Sequence, residues 1–491
     1  MKLKKKVKKE FEEKFEHSLT FDTNQLEVNA KEKKSKWPRH LIGVLVASVL
    51  ICAIGVPVTY AILDKEDNDD IWIGDSHDDY IYEESFSLEK RDYSIHEAEL
   101  INSSSFKNLN TVQTFSESRK NKSISEAYRS AFHAFTNTMY HQMNKSDNLA
   151  FSPMGLYSLL HLLSYGTSQT DMDALLGLNQ AAREQDYIHM LQNNNFSTDT
   201  GTIQFSNSVF LTNRFSYQQS FVNHMTDNYT EAYQLDFMNN ADVNKMLDWT
   251  NQKMNAENFL QRKDLRITEA TAFYMFSALY FNNQWLHKFA TSSSYENDFH
   301  LANQKMVKAT YMTNSYYGDV YDYGDFVSCF NYYANGLKIE YFVPKTTQNN
   351  IYDLTQDFDF FDKSIATHIT NCIVDLSVPR FSTETFYDFS DTLKQCGLEK
   401  YFDSTQNSFD SMLVTPADTN VYLEKVQQKN KIDFHEDGTI IQSLTIGSGN
   451  ATTAAPGNDS YCVTLNQPFI YIIYDNQSLP LFMGSVDQPN Q

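Results

Sequence analysis

Glu436-Asp437-Gly438-Thr439 ends one strand-like run, and the small-residue stretch Gly447-Ser448-Gly449-Asn450-Ala451-Thr452-Thr453-Ala454-Ala455-Pro456-Gly457-Asn458 follows it. An apolar hairpin then closes the chain, from Asn466-Gln467-Pro468-Phe469-Ile470-Tyr471-Ile472-Ile473-Tyr474 through a turn to Leu481-Phe482-Met483-Gly484. Small side chains make such a loop exposed and easily cut. Long loops between buried strands are uncommon in compact domains, and most of them are functional.

The rest of the chain supplies a body for that loop. Hydrophobic content of 41% and aromatic content of 14% are ample for a core, and 491 residues allow two or three domains or one large domain with appendages. A formal charge of -22 excludes the basic footprint that nucleic-acid binding needs.

Charge is uneven along the chain. Leu41 to Leu63 carries no charge and a single proline, Pro57. At about 1.5 Å per residue this length crosses a bilayer with some tilt. Lys31, Lys33, Lys34, Lys36 and Arg39 precede it, while Asp64, Glu66, Asp67, Asp69 and Asp70 follow. The positive-inside rule then predicts a cytoplasmic basic tail (1–40), a transmembrane helix (41–63) and an extracellular remainder. A cleaved signal peptide is the alternative, disfavoured by the long preceding tail and the length of the apolar run. Cys52 lacks the small neighbours of a lipoprotein cleavage site.

Residues 64–122 are acidic and without periodicity, and read as an extracellular linker. Gly74-Asp75-Ser76 within it resembles the nucleophile block of Gly-Asp-Ser hydrolases, whose serine needs a distant Asp-x-x-His pair. Asp186 and His189 have that spacing but fall in a helical stretch of another domain. Asp67 to Asp79 lacks the glycine and terminal-glutamate spacing of a calcium loop. Cys52, Cys329, Cys372, Cys396 and Cys462 form neither a disulfide framework nor a zinc site. Buried free thiols are expected, with one long-range disulfide among the outer four as the alternative. Neither a metal nor a cofactor is predicted.

A globular domain is expected over 123–489. Ser123-Ile124-Ser125-Glu126 reads as a capping box opening a helix with Ala127, Ala131, Phe132, Phe135 and Met139 on its apolar face. Ser152-Pro153 reads as a second helix start, before the stripe Leu156, Leu159, Leu160 and Leu163. Leu337–Val343 and Cys372–Val378 alternate as half-buried strands do, and Phe389 to Phe402 reads as a short amphipathic helix. Helices come early, strands dominate late and no parallel crossover unit repeats, so the fold class is α+β.

Several segments resemble the serpin family in the family's own order. They are Asn148-Leu149-Ala150-Phe151-Ser152-Pro153 with Gly166 and Thr170, Asn207-Ser208-Val209-Phe210, and Trp285-Leu286-His287-Lys288-Phe289. Phe299, Met312, Pro379-Arg380-Phe381, Leu393, Gly397, Phe402 and Phe409-Asp410-Ser411-Met412 continue the likeness, which covers roughly Ser123 to Pro489. The resemblance implies helices packed around three β-sheets and an exposed reactive-centre loop. It implies a suicide inhibitor, whose cut loop enters a sheet before the acyl bond to the protease hydrolyses. Such a protein needs no catalytic residue of its own.

Under that resemblance the hinge comprises Glu436, Gly438, Thr439, Ile441 and Ser443. Counting from Gly438 puts the scissile bond near Thr452-Thr453, whereas counting back from Pro468 puts it near Gly457. The bait region is therefore Ala451, Thr452, Thr453, Ala454, Ala455, Pro456 and Gly457. Its small residues suit an elastase-like or subtilisin-like serine protease, with a cysteine protease as a further possible target.

Two departures from the family pattern stand out. Ile440 and Ile441 replace the glutamate and small residues that usually follow the Gly-Thr pair. Gly155, Ser277 and Gln428 stand where Ser, Asn and His are usual, although Ser152, Ser277 and Gln428 offer a substitute cluster. The alternative reading is a non-inhibitory binding or adhesion module on the same fold. Abundant Asn, Lys, Tyr and Phe suggest a bacterial source.

Overall fold

The structure, a computed structural model, describes residues 104–115, 120–145, 148–440 and 460–489. The tail, the apolar span 41–63, the Gly74-Asp75-Ser76 fragment and residues 441–459 lie outside the described residues. Among the described residues no helix is long and apolar enough to cross a membrane.

Three sheets carry the fold. The first runs in the order Lys107–Asn108, Thr230–Leu235, Gly201–Thr212, Phe273–Gln284, Gly438–Ile440, Gln427–His435, Phe381–Asp388, with Phe196–Thr198 paired onto Gly201–Thr212. The second runs Ser460–Thr464, Thr367–Pro379, Met306–Asp322, Phe326–Tyr332, Lys338–Pro344, Phe469–Tyr474, Pro480–Val486, Leu149–Phe151. A two-stranded ribbon joins Leu413–Val414 to Ser216–Tyr217. The expected α+β class and three sheets are present.

Sequence patterning explains most of these elements. In helix Pro153–Leu163 the Ser152 hydroxyl accepts from Gly155 N at 3.0 Å, and the proline sits where no backbone donor is required. Leu156, Leu160 and Leu163 are buried as their spacing demands, and Leu159 packs against the same core. The hairpin Phe469–Tyr474 and Pro480–Val486 is buried along its whole length, because strands of the same sheet flank it and both faces are covered.

Other expectations are corrected. The first helix is Glu126–Gln142 and its cap is Ser125, whose hydroxyl accepts from Tyr128 N, so Ser123 stands outside the helix. Lys338–Pro344 is a central strand buried on both faces, with Phe358 and Phe360 packed on Phe342, so it does not alternate; Thr367–Pro379 does alternate. The stretch after Phe389 is no continuous helix, because Gly397 adopts φ +89° and breaks it between Ser390–Leu393 and Glu399–Phe402. All four described cysteines are free; Cys329 and Cys372 are buried, Cys396 is half-buried and Cys462 is exposed. Asp186 and His189 anchor the entrance to the first helix, Asp186 through Ser125 and His189 through the Ser123 carbonyl. The linker boundary at 122 also moves. Residues 104–115 pack on the domain, and Lys107–Asn108 adds an edge strand beside Tyr233 and Gln234.

Gly484 shows how closely the second sheet is packed. A Cβ there would meet the Leu149 carbonyl oxygen and lie 2.7 Å from Cζ of Tyr471. Gly484→Ala is expected to lower stability by about 1–3 kcal/mol, the usual result of overpacking. Thermal denaturation of the variant against the parent chain checks this.

Candidate strand-insertion site

The first sheet is incomplete at its centre. Phe273–Gln284 pairs on one side with Gly201–Thr212, and Gln427–His435 pairs on one side with Phe381–Asp388. Only the three residues Gly438–Ile440 join the two, opposite Asn282–Gln284 on one flank and Asp433–His435 on the other. Beyond them residues 273–279 and 427–430 of the two strands line a cleft of about 420 Å³. Unpaired strand edges present rows of backbone donors and acceptors that a further strand can satisfy.

Gly155, Leu156, Leu159 and Leu163 of helix Pro153–Leu163 line the cleft, and Met254, Phe259, Leu260, Leu265 and Arg266 of the segment crossing the sheet line it as well. Both kinds of wall are mainly apolar, so the space suits a strand with small or aliphatic side chains. The Ser277 hydroxyl opens onto the cleft, buried and without a partner. A buried hydroxyl left unsatisfied is costly, of the order of 1–3 kcal/mol, unless something arrives to bond it.

The three hinge residues are held firmly. Thr439 is fully buried, its hydroxyl 2.8 Å from the Tyr333 hydroxyl, and the Tyr333 ring stacks on Trp285 at 4.5 Å. The Trp285 indole N–H donates to His435 O at 2.9 Å, while Trp285 N and Phe289 N donate to Asp437 O and Glu436 O, each at 3.0 Å. Gly438 is required by close approach, because a Cβ would collide with the Asn283 carbonyl oxygen and lie 2.9 Å from the Gln284 Cα.

Glu436 is the electrostatic anchor. It is 8% exposed, accepts from Arg380 Nε at 2.8 Å and from the Ser294 hydroxyl at 2.7 Å, and also pairs with Arg380 Nη2. Burial alone would raise its carboxyl pKa, but the bonds from Arg380 and Ser294 outweigh it and hold the group below its ordinary 4.5. Lys288 pairs with neighbouring Asp437 at 3.1 Å.

At the far end of the cleft, Gln428 grips the start of helix Pro153–Leu163. Ser152 N donates to its Oε1 at 2.7 Å, its Nε2 donates to Ser152 O at 3.1 Å, and Asn430 Nδ2 donates to Oε1 at 3.1 Å and to Ala150 O at 3.0 Å. Gly155 leaves room for that amide: a Cβ would stand 3.2 Å from Gln428 Nε2. The sequence pointed to Ser152, Ser277 and Gln428; the structure joins the first and last, adds Asn430 and leaves Ser277 out.

Of the hinge residues read from the sequence, Glu436, Gly438 and Thr439 come together at the head of the cleft. Ile441, Ser443 and the bait residues Ala451 to Gly457 lie outside the described residues. Sequence reasoning missed Arg380, Ser294 and Tyr333. Arg380 and Trp285 sat inside quoted motifs, whereas Tyr333 lies in an unmarked turn and carried no signal.

The first sheet is thus split along its middle, with three residues seated between its halves. Comparison with known proteins gives the family. The description "Serpin (serine protease inhibitor)" matches residues 130–489, and the chain belongs to that family. A serpin-like protein of Acanthamoeba polyphaga mimivirus is 26% identical over 76% of this chain and 93% of its own length. Serpin-Z10 of Arabidopsis thaliana is 23% identical over 70% of this chain and 92% of its own. Among solved structures, native tengpin, a thermophilic serpin, superposes with a TM-score of 0.67 at 20% identity, covering 78% of this chain and 99% of tengpin. Thyroxine-binding globulin with thyroxine gives 0.61 at 18%, covering 74% and 99%. Relatives from a virus, plants, mammals and an archaeon leave the source of this chain open. Members of this family are in general protease inhibitors rather than enzymes.

The anchor gives a pH dependence with a defined sign. A carboxyl whose pKa is lowered by folding stabilises the fold fully above its unfolded value and loses that contribution as pH falls through the folded one. Glu436 should therefore stabilise the hinge above pH 4.5 and release it below its lowered value. Glu436→Gln is expected to cost about 1–2 kcal/mol at pH 7, discounted for the exposed side of Arg380, and to flatten the acid limb. Thermal melts of both proteins from pH 3 to 7 check it.

Proposed function

We propose that the chain is a membrane-anchored extracellular serpin that traps a serine endopeptidase of elastase-like or subtilisin-like specificity, by cleavage of its loop and insertion of the cut strand. The observation that carries the reading is the seated hinge Gly438–Ile440 at the head of an open cleft. A strand inserted in the same register as Gly438–Ile440 would bring Ile441 opposite Phe281 and Ile432, Ser443 opposite Leu279 and Asn430, and Thr445 opposite Ser277 and Gln428.

Side chains alternate along a strand, so Ile441, Ser443 and Thr445 share the face that Thr439 already buries. The neighbours match them. Phe281 and Ile432, both apolar and buried, would flank Ile441. Asn430 meets a hydroxyl at Ser443, and the partnerless Ser277 hydroxyl meets the one at Thr445. The inserted strand thus satisfies a group that the open cleft leaves unpaired.

The bait residues Ala451 to Gly457 offer neither a cation nor an aromatic ring, so pockets for small side chains fit best. The transmembrane reading of 41–63, with the tail 1–40 cytoplasmic and the serpin domain outside, rests on its flanking charges. The second reading, a non-inhibitory binding module, has its own support in the likeness to thyroxine-binding globulin complexed with thyroxine.

Incubation with an elastase and with a subtilisin separates the two readings. A complex that survives boiling in detergent is expected, with cleavage inside Ala451 to Gly457 and a sharp rise in Tm once the loop is nicked. Cleavage without complex or added heat resistance would establish the non-inhibitory alternative. Thr445→Val should still insert but lose part of the gain in Tm, about 1 kcal/mol for one hydrogen bond.

A further inference from the structure

Residues 104–115 precede the span matched to the serpin family, yet they are fastened to the domain along their length. Their main attachment is Asp242, fully buried in the first turn of helix Asn240–Lys253. Its carboxylate accepts from the hydroxyls of Ser104 and Ser105, from the backbone N–H of Ser105 and Phe106 at 3.2 Å each, and from Asp236 N at 3.0 Å. Four of those five donors belong to the segment. Lys245, one turn on, donates to the Ser104 hydroxyl at 2.8 Å and lies over the Phe106 ring.

The far end of the segment grips the sheet edge. Leu109 N donates to Ala232 O at 2.8 Å, and the Asn110 side chain continues the ladder, receiving Ala232 N and donating to Thr230 O and the Thr226 hydroxyl. Phe115 stacks on Tyr229 at 4.6 Å. One stretch of chain therefore ties the start of helix Asn240–Lys253 to the edge strand Thr230–Leu235 and to the end of helix Gln219–Asp227.

That helix has a particular position. Trp249 packs on Phe210, which packs on Phe276 of the strand bordering the cleft, and the chain leaving the helix, residues 254–272, crosses the cleft. Asp264 and Arg266 of this crossing are pinned on the opposite side by Lys429 at 3.9 Å and by Glu424 at 3.0 Å. A strand entering the cleft would meet it, because Met254, Phe259, Leu260 and Leu265 line that space.

We propose that residues 104–115 form an intramolecular clamp that holds helix Asn240–Lys253 and the crossing segment 254–272 down over the cleft and so sets the rate at which a strand enters. The proposal deepens the inhibitor reading and rests on it for its consequence, though not for the coupling itself. It makes the junction with the N-terminal 103 residues a control point: any partner or protease that strips the segment away frees the helix while leaving the hinge and cleft intact.

Hydrogen exchange on the full chain tests the coupling without any protease. Ser104→Ala with Ser105→Ala removes two donors to Asp242, and Asn110→Ala is the milder second variant should the first fail to fold. Exchange in 254–272 should rise about tenfold, the effect of losing a hydrogen bond to a charged acceptor, with 469–486 unchanged. The protease-cleavable form should also disappear faster on incubation below the Tm, and Ser104→Thr with Ser105→Thr should restore the parent rate. A rise confined to 104–115 and 230–235, with 254–272 at the parent rate, overturns the clamp. Faster exchange in 254–272, in a chain that forms no detergent-resistant complex with either protease, upholds the clamp and removes the inhibitor reading.

Discussion

Two strands that face each other without pairing are the constraint behind the whole architecture. The edges of 273–281 and 427–432 cannot close, because Gly438–Ile440 wedges them apart at one end and Gln428 binds the base of helix Pro153–Leu163 at the other. A buried strand edge normally finds a partner, since its backbone groups lose water on folding. Here the two edges stay apart beyond Ile440, short of their most satisfied arrangement. The cleft, the partnerless Ser277 hydroxyl and the polar grip at Ser152 follow from that one omission.

Under the proposed insertion, the hinge would have to resist premature entry and yet lead the strand in the right register, and both demands would fall on the same few residues. Thr439 and Tyr333 fix which face of the strand looks inward, and a slip by one residue would turn Ile441 and Thr445 to the wrong side. Glu436 and Arg380 hold the turn before the strand. The grip at Gln428 is weaker chemistry, amide to backbone.

Much of this was legible in the sequence. The Gly-Thr pair before a small-residue loop, Ser152-Pro153, the Trp285–Phe289 motif and the closing hairpin are local signals whose causes lie within a few residues. What stayed hidden depends on pairs remote in the chain. Tyr333 reaches Thr439, Arg380 reaches Glu436 and Ser104 reaches Asp242 across separations that no periodicity records. Strand Lys338–Pro344 defeated its own alternation because neighbours cover both of its faces, and Gly397 broke a helix whose apolar spacing continued past it. The segment 104–115 looked like linker because acidic and polar surroundings outweighed Phe106, Leu109 and Phe115, three apolar residues too widely spaced to read as a strand.

Trp285 carries a further consequence. Its ring lies on Tyr333, which touches the hinge, and its indole N–H reads the backbone at His435. Trp249, the second tryptophan among the described residues, sits on the helix whose continuation crosses the cleft. One indole thus lies at the hinge and another on the helix leading to the cleft, so in a chain with Trp37 and Trp72 replaced by Phe, intrinsic fluorescence reports on both places, with single Trp→Phe replacements assigning each change in emission.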